Sequence, residues 1–90
     1  MTANEIAHVV VDALTGIAPE IDPAAVQSSI NFREQFDLDS VDFLNFVLAL
    51  HERLGIDIPE ADYARLYSLE SAVRYLTEKA SAAKPSGSEI

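Results

Sequence analysis

The residue with the most chemical promise is Ser40, which stands in Asp37-Leu38-Asp39-Ser40-Val41-Asp42 with three carboxylates around it. A serine becomes a nucleophile when a base lies within reach, and His8 and His51 are the two histidines that could serve. His51 follows Ser40 by eleven positions. On one helix that is about 16 Å along the axis, too far for a proton to pass between the side chains. No Gly-x-Ser-x-Gly elbow surrounds Ser40, so a Ser-His-Asp hydrolase is a weak reading. Asp37 and Asp39 could open a calcium loop, but Val41 takes the next ligand position and Asp42 the place of the turning glycine. The chain has no cysteine, which removes thiolate metal sites and thiol nucleophiles, so any sulfur chemistry must come from an added group. No metal site is expected. What remains is a serine at the exposed start of a helix, where free N–H groups and partial positive charge tolerate a phosphodiester despite acidic neighbours. The same position suits a serine that is only a helix cap.

The elements that place Ser40 follow from periodicity. Thr2-Ala3-Asn4-Glu5 fits a capping box that opens a first helix, and Ile6, Val9, Val10, Ala13, Leu14 and Ile17 recur on one face of it. Gly16 and then Pro19 should end that helix. The stretch from Ala18 to Asp39 reads as a long ordered loop pinned by scattered apolar residues, with a helical turn around Pro23 to Gln27. A second long helix should begin at Asp39 or Ser40 and stop at Leu54-Gly55. On it Val41, Leu44, Val47, Leu48 and Leu54 make an apolar stripe that Phe43, Phe46 and Leu50 widen, which predicts a largely surrounded helix. Pro59 is placed to start a short third helix to about Tyr67, and Ser68 to cap a fourth whose buried face is Leu69, Ala72, Val73, Leu76 and Ala80. The fold class is therefore all-α, a four-helix bundle with three longer helices, one short third helix and a long first loop. Residues 1–80 form one domain and 81–90, which lose periodicity, a flexible tail.

Of the 90 residues, 49% are hydrophobic, enough to fill a core, yet no run approaches the roughly 18–20 apolar residues that span a bilayer. No secretory signal is indicated, and a cytoplasmic monomer is expected. The net charge of −9 argues against nucleic acid and anionic membranes as partners, and favours proteins with basic patches.

Around Ser40 the sequence resembles the acyl carrier protein family, whose hallmark is Asp-Ser-Leu at the start of the second helix. Here it reads Asp39-Ser40-Val41, and the similarity continues through Leu54-Gly55-Ile56-Asp57-Ile58-Pro59-Glu60 and into Ser68 to Leu76. The resemblance covers roughly residues 1–80. It implies that Ser40 accepts 4′-phosphopantetheine from coenzyme A through a phosphopantetheinyl transferase that uses Mg²⁺. The terminal thiol of that group would then carry an acyl chain as a thioester between enzymes of fatty acid, lipid or polyketide-type synthesis. It further implies a carrier that makes no bonds itself. By position Asp37, Asp39, Val41 and Asp42 would form the local recognition surface, Glu52 and Asp57 the more distant docking charge, and Phe43, Leu44, Val47 and Ile58 the acyl groove or core.

Three departures stand out. Val41 replaces the usual Leu, a swap that should still pack; Asn45, His51 and Arg53 stand where housekeeping carriers tend to be acidic; Phe43 and Phe46 add bulk beside the groove. The reduced negative charge favours specialised partner enzymes. The competing readings are a peptidyl, aryl or D-alanyl carrier, and an unmodified helical interaction module in which Ser40 is only a cap.

Overall fold

The computed structural model of the protein describes residues 2–83. Its helices are α1 (Ala3–Ile17), α2 (Phe32–Gln35), α3 (Ser40–Leu54) and α4 (Leu69–Ala83), with 3-10 segments at Pro23–Ala25 and Glu60–Leu66. α1 packs against both α3 and α4, and the second 3-10 segment packs on α4. The all-α bundle with three long helices is thus the arrangement expected from periodicity.

α1 begins with the anticipated capping box: Glu5 N–H donates to Thr2 Oγ1 at 3.1 Å and Thr2 N–H to Glu5 Oε1 at 2.8 Å. That backbone donor, the largest influence, holds the Glu5 carboxyl below its ordinary range. Its end departs from expectation, because Gly16 lies inside the helix and the chain leaves at Ala18, whose N–H donates to Leu14 O. Pro19 accounts for the stop, since its ring disfavours a helical residue before it. Ile6, Val10, Ala13 and Leu14 supply the buried face.

The long connection carries more structure than a loop. The turn at Pro23 is capped by Asp22, which accepts from Ala24 N–H at 3.0 Å. α2 is a further helical turn, capped by Asn31, that brings Phe32 to full burial. Gln35 clamps the segment before it, accepting from Gln27 N–H and donating to the carbonyls of Gln27 and Ile30. Two backbone bonds tie the connection to the other end of the chain: Phe32 N–H to Tyr67 O at 2.6 Å and Glu70 N–H to Ser28 O at 3.0 Å.

Pro59 does not start an α-helix. It precedes the 3-10 segment, which ends against α4 with Leu66 buried. Tyr75, absent from the expected core, is buried between these elements and donates to Asp62 Oδ2 at 2.6 Å, with the Arg65 guanidinium over its ring. Burial first, and the Asp62 carboxylate second, push the Tyr75 hydroxyl up to about 12. α4 continues to Ala83, past the start expected for a tail at 81, while 84–90 lie outside the described residues.

Candidate functional site

Leu38 is buried and its neighbours Asp37 and Asp39 are exposed, the alternation of an extended chain that turns two carboxylates outward just before α3. Asp39 keeps extended backbone angles and is the N-cap. Its Oδ1 accepts from Asp42 N–H at 2.8 Å, and Asp42 returns the bond from Asp39 N–H at 3.3 Å, so the pair closes a capping box. Ser40 is consequently the first residue of the helix and not its cap. Its side chain is exposed, and among the described residues its hydroxyl has no hydrogen-bond partner. With Asp42 N–H taken by Asp39, the Ser40 and Val41 N–H groups of this first turn have no intrahelical carbonyl to meet and stand ready for the oxygens of an esterifying phosphate. A serine phosphodiester fits here: the hydroxyl is accessible, unengaged and at the positive end of a fifteen-residue helix.

At the far end Gly55 adopts φ 65° and donates to His51 O, the left-handed stop that sequence indicated. Glu52 and Asp57 are exposed at this end, about 18 Å along the axis from Ser40 or further, so the six expected recognition residues divide into two groups. Asp37, Asp39, Val41 and Asp42 surround Ser40; Glu52 and Asp57 do not. Arg53 turns to α1 and donates to Asp12 at 2.8 Å, so much of its positive charge is offset.

The apolar residues of α3 also divide, and differently from the stripe expected. Phe43, Phe46, Val47 and Leu50 are buried. Phe43 is enclosed by aromatic rings, with centroids 5.0 Å from Tyr67, 5.9 Å from Phe46 and 6.4 Å from Tyr63. Val41, Leu44 and Leu48 are 65%, 44% and 47% exposed. Leu44 is therefore not core, and Val41 does not pack as expected. The helix is not surrounded either. Because both faces are apolar, hydropathy could not separate them; the heavier aromatic residues at 43 and 46 were the signal for which face is inside. Ile58 is half-buried and lines a shallow hollow of about 320 Å³ with Asp57 and Pro59.

The comparisons with known proteins agree with this geometry. The family described as the phosphopantetheine attachment site matches residues 9–76. An acyl carrier protein of Lactobacillus johnsonii is 32% identical over 84% of this chain and 94% of its own length. One from Campylobacter hominis is 34% identical over 81% of this chain and 86% of its own. The chain belongs to the acyl carrier protein family. The solved structure of an acyl carrier protein from Enterococcus faecalis, at 23% identity, superimposes with a TM-score of 0.69 over 88% of this chain and 99% of that one, which shows the shared fold. As a family member the chain carries acyl groups on covalently attached 4′-phosphopantetheine, and acyl carrier proteins are carriers rather than catalysts. The family works with synthesis enzymes and a phosphopantetheinyl transferase. No helix among the described residues is long and apolar enough to cross a membrane.

Proposed function

We propose that Ser40 is the attachment residue and that this chain delivers acyl thioesters without catalysing their chemistry. The observation that carries the assignment is the capping box of Asp39 and Asp42, which leaves the neighbouring hydroxyl exposed and without a structural duty. In the loading step Ser40 Oγ forms a bond to the pantetheine-bearing phosphorus of coenzyme A. The phosphoanhydride bond breaks, adenosine 3′,5′-bisphosphate leaves, and the hydroxyl proton passes to a base on the transferase, which also holds the Mg²⁺. The attached group supplies a thiol to a chain that has no cysteine.

For docking, Asp37, Asp39 and Asp42 offer charge to a basic patch beside Ser40, and Val41, Leu44 and Leu48 offer apolar anchors. Glu52 and Asp57 give a second, separate point of attraction. Between them Asn45 and His51 leave the exposed face of α3 without acid, which favours partners whose basic residues are similarly split over those with one continuous basic strip.

Incubation with coenzyme A, Mg²⁺ and a broad-specificity transferase should add one phosphopantetheine to the intact mass, and Ser40→Ala should add none. An unmodified wild-type chain that is folded would sink the assignment and leave the interaction module as the reading.

A further inference from the structure

Resting on Ser40 as the attachment residue, we infer that the exposed row Leu44–Leu48–His51 of α3 is a surface track on which the phosphopantetheine arm lies between deliveries, with the His51 imidazole receiving its far end. Three observations meet in this row.

The first is register. Eleven residues make three helical turns plus about 20°, so His51 projects from the same side of α3 as Ser40, about 16 Å further along. Leu44 and Leu48 flank the line between them on its exposed side, about 40° and 80° round from Ser40, and buried Val47 flanks it on the other. The distance that rules out proton transfer between Ser40 and His51 matches the reach of the arm. About fourteen bonds separate Ser40 Oγ from the thiol sulfur, and an extended chain advances about 1.2 Å per bond, which gives about 17 Å.

The second is polarity along the row. The arm's only charge is its phosphate, which sits at the positive start of α3. Beyond it the arm is neutral, with two methyl groups and two amides, and it would run over Leu44 and Leu48, which are half-exposed and uncovered by the rest of the bundle. Glu52 and Asp57, near the far end, therefore repel nothing there. Such a small apolar strip would hold a free ligand poorly. Tethering at Ser40 puts the arm at an effective concentration in the millimolar range, and weak contacts then suffice.

The third is the state of the imidazole. His51 Nδ1 lies 2.8 Å from Ile56 O, and a carbonyl only accepts, so Nδ1 carries the hydrogen. In the neutral ring Nε2 is left as an acceptor, with no partner among the described residues and a side chain 47% exposed. The arm brings donors to that end, its last amide N–H and the thiol. The interior beside Phe43 offers the arm no equivalent, because Tyr63, Tyr67 and Phe46 already pack against that ring.

The test compares the ring NMR signals of His51 and His8 in the apo and holo proteins, with intact mass confirming that the holo sample carries the arm. The expected result is a shift of the His51 signals on loading, with contacts from the thiol-end methylenes, and no change at His8 on α1. In protein bearing Leu44→Gln and Leu48→Gln, both at exposed positions, the His51 signals of the holo form should match those of the apo form of the same variant. Confirmed loading with an unmoved His51 would overturn the track, as would shifts that appear instead at the Phe43 and Tyr63 rings. Failure of the unsubstituted chain to load at all would strike the attachment residue itself and is read from the mass.

Discussion

α1 and α3 both open with a reciprocal capping box, and the two boxes are built from different atoms. In α1 the Thr2 hydroxyl is the acceptor, committed to Glu5 N–H. In α3 two carboxylates, Asp39 and Asp42, do the same work and the hydroxyl stands one residue further on, uncommitted. Each helix gains its start, but only α3 keeps a hydroxyl for chemistry. Crowding two acids together costs something in repulsion, which the positive end of the helix offsets. The contrast shows how a serine at a helix start, ordinarily a cap, is here left exposed and uncommitted.

The largest effect that could break the contrast is on loading. Ser40→Ala should abolish phosphopantetheine addition in the mass assay yet change stability by less than about 0.5 kcal/mol, since the residue is exposed and caps nothing. A loss near 1 kcal/mol in denaturant unfolding would show that Ser40 shares the capping after all. Next, Asp39→Ala removes the cap itself and should cost about 1 kcal/mol, or roughly 4–8 °C in Tm. Thermal melts in which Asp39→Ala and Ser40→Ala were equally harmful would dissolve the distinction. Thr2→Ala should cost about 0.5 kcal/mol, at the low end for caps, because its box sits in a terminal turn. The smallest effect concerns pH. The Glu5 carboxyl is held below its usual 4.5, so its contribution is present above that value and fades as pH falls through the lower folded value. Replacing Glu5 with Gln should flatten that part of the acid unfolding curve, followed by circular dichroism. At the alkaline end Tyr75 gives the opposite sign, with its contribution intact below about 10 and lost as pH rises through about 12. Tyr75→Phe should weaken that alkaline dependence while costing about 1.5–2 kcal/mol at neutral pH through the lost bond to Asp62.

Much of this arrangement was legible in the residues. The first capping box, the Gly55 stop and the extent of α3 follow from local chemistry that operates within a turn or two. The connection was harder. α2 is a single turn held by Asn31 and by burial of Phe32 against α3, and its tie to Tyr67 joins positions far apart in the chain. Such elements depend on tertiary contacts that no window of sequence contains. The site was half legible. The Asp39-Ser40-Val41 motif located it, while the choice of Asp39 over Ser40 as cap needed coordinates. The faces of α3 misled for a simpler reason: Val41, Leu44 and Leu48 are as apolar as the residues they were grouped with, and only packing shows that nothing in the bundle covers them.

The two backbone bonds that fasten the connection, Phe32 to Tyr67 and Ser28 to Glu70, set an order in time. They join position 32 to 67 and position 28 to 70, and contacts of such separation form more slowly than the local ones within α3. On the assignment of Ser40 as the attachment residue, a chain cut before Leu69 lacks α4 and the Ser28 to Glu70 bond and should stay unmodified beside a full chain that is loaded.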